Sequence, residues 1–119
     1  MNEGQNNKYD LEERTYQFAK KTCDFVRTIK KSLSNMEYIK QLLDASSSVG
    51  ANYIEANEAL SKKDFNMRIK ICRKEAKESA YWLRLIVDTN DKEYETEGKK
   101  LYQEAIELKK IFSAILLKS

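Results

Sequence analysis

The chain has no proline and no histidine, and only three glycines and two cysteines among its 119 residues. Each shortage excludes something. Without proline, and with glycine confined to positions 4, 50 and 98, turn-formers are too few for a fold of many short strands. Long helices tolerate this composition. Without histidine, the commonest general base and metal ligand is missing, and so are the Glu-x-x-His pairs of di-iron bundles. Cys23 and Cys72 sit on apolar faces with no CxxC spacing, which fits free core thiols in a reducing compartment. No apolar run approaches the roughly 18 residues of a membrane span. The opening MNEGQNNKYD lacks the basic-then-apolar order of an export signal, so the expected location is cytoplasmic. Neither a glycine-rich phosphate loop nor a GxSxG elbow occurs.

What is present is charge and periodicity. Charged residues make up 34% of the chain, and the net charge is only +3. Its distribution is uneven: residues 1–34 carry +2, residues 35–60 carry −3, residues 61–88 carry +4 and residues 89–119 carry 0. A basic segment following an acidic one suggests neighbours, or an anionic partner for the basic one. Four segments repeat apolar or small residues at alternating spacings of three and four. These are Leu11, Thr15, Phe18, Thr22, Phe25 and Ile29; then Ile39, Leu42, Ser46, Val49, Tyr53, Ala56 and Leu60; then Phe65, Ile69, Cys72, Ala76, Ser79, Leu83 and Ile86; and finally Tyr94, Gly98, Leu101, Ala105, Leu108, Phe112 and Ile115. Each is one face of a helix turned to its neighbours.

Local chemistry sets the expected boundaries. Asp10 is placed to cap a first helix, with Glu12 and Glu13 in its first turn. Ser34-Asn35 marks a break, Ser61-Lys62-Lys63-Asp64 reads as a variant capping box, and Asp88-Thr89-Asn90-Asp91 marks a third break. The reading is a polar tail over residues 1–8 and one domain over 9–119, with helices at about 10–33, 36–60, 62–87 and 92–118. Connections this short force antiparallel neighbours, which predicts an all-α, up-down-up-down four-helix bundle.

The middle of the second helix is unusual. Ala45-Ser46-Ser47-Ser48-Val49-Gly50-Ala51-Asn52 is a poor helix former, since serine competes for backbone hydrogen bonds and Gly50 costs about 1 kcal/mol against alanine. Close approach of another helix explains the small residues; a hydroxyl-lined groove is the alternative. Ser48-Val49-Gly50-Ala51-Asn52-Tyr53-Ile54-Glu55-Ala56, then Ser61-Lys62-Lys63-Asp64-Phe65, then Lys74 to Leu83 (KEAKESAYWL) resembles the four-helix-bundle family also called the 23S rRNA intervening-sequence protein (S23) family. The resemblance implies a bacterial four-helix bundle that assembles as a ring-like homopentamer. It is related to the accessory protein of diversity-generating retroelements, which works with a reverse transcriptase and nucleic acid. It brings no catalytic residues and no cofactor.

Two surfaces stand outside the core stripes. Ile54, Glu55, Ile71, Glu75, Glu78, Tyr81, Trp82 and Leu85 form a second, partly apolar set suited to a subunit interface, with the aromatic pair as anchors. Lys63, Lys70, Lys77 and Arg84 recur every seven residues with Arg73 and Lys74 beside them, and Lys20, Arg27 and Lys31 form a similar line on the first helix. Such rows are either solvated faces laced with ion pairs or a surface for RNA or DNA phosphates, with little base readout. The leading function is thus a non-enzymatic oligomeric scaffold or adaptor for nucleic acid or a protein that processes it. Two alternatives stand beside it. One is a Mg²⁺-dependent nucleotide phosphohydrolase using Glu55, Glu58, Glu75 and Glu78, since carboxylates at i and i+3 share a helix face. The other is a purely structural or regulatory partner for protein.

Overall fold

The computed structural model describes residues 3–119, with side chains from Asp10 onward. Four helices account for nearly all of it: α1 (Glu3–Arg27), α2 (Leu33–Asn57), α3 (Lys62–Asp88) and α4 (Glu95–Lys118), the last entered through a 3-10 turn at Lys92–Tyr94. The element order is the expected up-down-up-down bundle. α3 packs along both α2 and α4, and α1 packs on the same two helices from the other side. α1 and α3 therefore occupy diagonal corners.

The core is built from the four stripes. Every member of the α1 line is buried, as is the α3 line from Ile69 to Ile86. Two of its hydroxyl members, Thr15 and Ser79, bond back to their own helix. Thr15 Oγ1 donates to the Leu11 carbonyl at 2.9 Å, and Ser79 Oγ to the Glu75 carbonyl at 2.8 Å. Such back-bonding removes the cost of a buried donor. Small residues set the helix spacing. A Cβ on Gly50 would lie 3.0 Å from Thr15 Oγ1 across the α1–α2 contact. One on Gly98 would collide with the Val87 side chain of α3 and stand 3.2 Å from Phe25 Cζ of α1. Close helix approach accounts for Gly50, and the hydroxyls of Ser46, Ser47 and Ser48 bond back to carbonyls of α2.

Three boundaries differ from expectation. α1 is already helical at Glu3, ahead of the anticipated Asp10 cap; the expected tail over residues 1–8 falls partly outside the described residues. α1 also stops at Arg27, not 33. The first break lies at 28–32, because Ser32, not Ser34, is the cap: its backbone is extended and its hydroxyl accepts from the Asn35 amide at 3.1 Å. α2 ends at Asn57, so Leu60 leaves the core line and stands 98% exposed. The Ser61 cap of α3 is as expected, accepting from the Asp64 amide at 3.1 Å.

The end of the bundle that carries the α1–α2 and α3–α4 connections is locked by amides. Asn35, buried, exchanges two hydrogen bonds with Asn90, at 2.8 and 2.9 Å. Asn35 also donates to the Lys30 carbonyl and Asn90 to the Ile86 carbonyl. The Lys30 amide donates to the Tyr94 hydroxyl at 3.3 Å. Farther along, Arg14 of α1 makes a forked pair with Glu104 of α4 at 2.7 and 2.8 Å.

Candidate functional site

α3 carries both candidate surfaces, and helical spacing separates them into two flanks. Arg68, Ile71, Glu75, Glu78, Trp82 and Leu85 follow one another at three- and four-residue steps, which places them on one line of the helix. Two members fix where that line faces. Arg68 donates to Asn52 Oδ1 of α2 at 2.9 Å, and the Trp82 ring stacks on Tyr38 of α2 at a centroid distance of 6.1 Å. This flank leans towards α2. Lys70, Arg73, Lys77, Ala80, Arg84 and Val87 form a second line by the same steps. Arg84 and Val87 meet Lys99 and Tyr102 of α4 around one cavity, so this flank leans towards α4. Lys63, Lys74 and Tyr81 stand on the ridge between the flanks.

The expected interface set is not uniformly free. Tyr81 is 59% exposed and Ile54 53% exposed. Trp82 is half-buried, with Tyr38 on one side and an edge-on contact to Tyr81 at 5.0 Å on the other. It is thus partly engaged within its own chain. Met67 and Met36 add exposed apolar area on the same helices. Tyr38 and these methionines were missed because they sit off the core stripes, and off-stripe apolar residues carry no periodic signal of their own.

The carboxylates of this face do not converge. Burial raises the Glu75 pKa above its ordinary value; neighbouring Glu78 and Asp44 raise it further, and Lys74 opposes them. Asp44 lies eleven residues before Glu55 on α2, about 16 Å at 1.5 Å per residue. Glu55-x-x-Glu58 therefore stands at a different level of the bundle from Glu75-x-x-Glu78. No group of three or more His, Cys, Asp or Glu among the described residues is arranged to hold a metal ion. The four-carboxylate site expected for a phosphohydrolase is not assembled. Antiparallel pairing explains this: Asn52 opposite Arg68 sets the α2–α3 register and leaves Glu55 beyond Arg68, away from Glu75.

The cationic rows fare differently. Lys63, Lys70, Arg73, Lys74 and Lys77 make no ion pair among the described residues, and Arg84 makes a long one, 3.7 Å to Asp88. Arg68 of the same helix is held by Asn52 of α2. On α1, Lys20 pairs with Asp24 at 3.7 Å, and the helix ends at Arg27, so Lys31 lies in the connection. The two rows sit on diagonal corners and do not merge into one surface within a single copy. Cys72 is buried, its thiol donating to the Val49 carbonyl at 3.4 Å, and burial pushes its pKa up to about 12. It is a core residue, while Cys23 is half-buried. No helix among the described residues is long and apolar enough to cross a membrane.

Four antiparallel helices around one core define the class: an all-α four-helix bundle. The chain belongs to the 23S rRNA-intervening sequence protein family, whose model matches residues 7–114. It is also similar to a solved protein of unknown function from the S23 ribosomal protein family of Bacteroides thetaiotaomicron. That likeness has a TM-score of 0.75 and 27% identity, and covers 88% of this chain and 96% of the other. No curated protein matches.

Proposed function

We propose that the protein is a non-enzymatic helical scaffold. In this reading copies associate through the α2-side flank of α3, in the ring-like homopentamer that the family resemblance implies. Nucleic acid, or a protein that processes it, is held by the cationic flank. The observation that carries the proposal is the division of α3. Of the cations without an ion pair among the described residues, Lys70, Arg73 and Lys77 lie on the side facing α4 and Lys63 and Lys74 on the ridge with Tyr81, while Trp82, Ile71 and Leu85 lie on the side facing α2. Assembly through one flank leaves the other free. Repetition of the cationic flank around an oligomer multiplies the number of phosphates engaged, and affinity for nucleic acid grows with that number.

Assembly is tested by light scattering at micromolar concentration. The expected result is a mass several times that of the 13.9 kDa chain, with Tyr81→Glu and Leu85→Glu reducing it. A monomeric wild-type protein would contradict the scaffold reading. The nucleic-acid half is tested separately, by binding of RNA and DNA across salt concentrations.

A further inference from the structure

The cationic flank of α3 runs, at the end of the bundle nearest the α3–α4 connection, into a cavity of about 340 Å³ between α3 and α4. Arg84, Val87, Asp88, Lys99, Tyr102 and Gln103 line it. Three kinds of chemistry meet there. The half-buried Tyr102 ring and the Val87 side chain form an apolar wall. The Gln103 amide and Asp88 carboxylate offer hydrogen-bond donors and acceptors. Arg84 and Lys99 bring positive charge. Arg84 is held only by the exposed 3.7 Å pair with Asp88, which leaves most of its guanidinium donors free, and Lys99 leans on Glu95 at 2.6 Å at the surface. Exposed pairs of this kind contribute little and give way readily to a stronger anion. Beyond the cavity, Lys77, Arg73 and Lys70 continue the same line of α3 without ion-pair partners among the described residues. At 1.5 Å per residue, Lys70, Lys77 and Arg84 repeat about every 10 Å along the helix.

A ligand matching all three features has a flat ring, a hydrogen-bonding edge and negative charges repeated along a line. We infer that this cavity is a nucleotide pocket that takes one base of a single strand against Tyr102. The phosphate of that nucleotide sits on Arg84, and the neighbouring phosphates follow Lys77, Arg73 and Lys70. The inference rests on the nucleic-acid reading above and narrows it. A duplex keeps its base faces stacked and reaches only the cations. A single strand adds stacking on an aromatic ring, which every base offers. An acidic peptide meets the cations and leaves Tyr102 and Gln103 without a role.

The test is fluorescence anisotropy with a short, unstructured, fluorescein-labelled RNA, the same RNA annealed to its complement, and a labelled polyglutamate peptide, each titrated across salt. The expected order is single strand tightest, then duplex, then peptide. Tyr102→Leu is expected to weaken single-strand binding about tenfold, from the loss of one stacked base, while duplex binding is unchanged. Tyr102→Phe, which keeps the ring, retains it. Arg84→Gln, at an exposed side chain outside the core, lowers the salt slope by about one phosphate contact. Circular dichroism confirms that each variant folds. Equal binding of single strand by Tyr102→Leu and wild type, or a preference for duplex or for the peptide, overturns the pocket while leaving the cationic flank of α3 in place. Absence of RNA and DNA binding by the wild-type protein overturns the nucleic-acid half of the proposed function, and the pocket with it.

Discussion

At the scale of the residue, two buried positions show opposite kinds of tension. Thr22 Oγ1 is fully buried and has no hydrogen-bond partner, whereas Thr15, seven residues earlier on the same line, bonds back to its helix. An unpaired buried hydroxyl costs about 1–3 kcal/mol, and valine has nearly the same shape without it. Thr22→Val is expected to raise unfolding free energy by about 1 kcal/mol in urea titration. Gly98 is the reverse case. Alanine would improve helix propensity by about 1 kcal/mol, but its Cβ has no room between Val87 and Phe25. Overpacking of this kind costs about 1–3 kcal/mol, so Gly98→Ala is expected to destabilise the same fold. Both residues are visible in the sequence as members of the core stripes. Neither the missing hydrogen bond nor the collision is, because each depends on which neighbour arrives from another helix.

At the scale of the element, the stripes were legible and the ends less so. Apolar spacing is a property of one helix, and it puts every buried residue from Leu11 through the end of α1 to Ile29, except Val26, on one line. Helix ends depend on local competition. The break expected at Ser34-Asn35 falls inside α2, because Ser32 is the cap and the buried Asn35–Asn90 amide pair holds Asn35 within the helix. That pair joins residues far apart in sequence, so no local pattern announces it. The flank of α3 that faces α2 carries the next prediction. Glu75 holds its proton more tightly in the folded protein than its ordinary value of 4.5 implies, through burial first and then Glu78 and Asp44, with Lys74 opposing. A raised carboxylate pKa means that the folded state binds the extra proton. Stability therefore falls as pH rises from 4.5 through the raised value, and the loss is complete above it. Glu75→Gln is expected to remove this fall, so the variant gains on the wild type as pH rises towards neutrality. Parallel pH dependence of the two proteins in thermal unfolding would count against that account.

At the scale of the whole molecule, the bundle decides what the surface patterns add up to. The sequence shows two cationic rows and one mixed apolar row, and nothing in it says whether they share a face. Diagonal placement of α1 and α3 separates the two cationic rows, and the α2–α3 and α3–α4 seams separate the flanks of α3. Lys99 and Tyr102, from a segment with no net charge, join the α3 row only because α4 packs antiparallel beside it. The α2–α3 register keeps the Glu-x-x-Glu pairs at different levels of the bundle. In the function proposed above, the α3 flank facing α4 holds a polyanion. That is tested most directly by titrating labelled single-stranded RNA with the wild-type protein and with the Lys70→Glu, Arg73→Glu, Lys77→Glu variant at increasing salt. Wild-type binding is expected at low salt, its logarithm falling linearly with the logarithm of salt concentration by about 0.7 per phosphate contact, and that binding is expected to be lost in the variant. Binding that ignores salt, or a charge-reversed variant that binds as the wild type does, would contradict it.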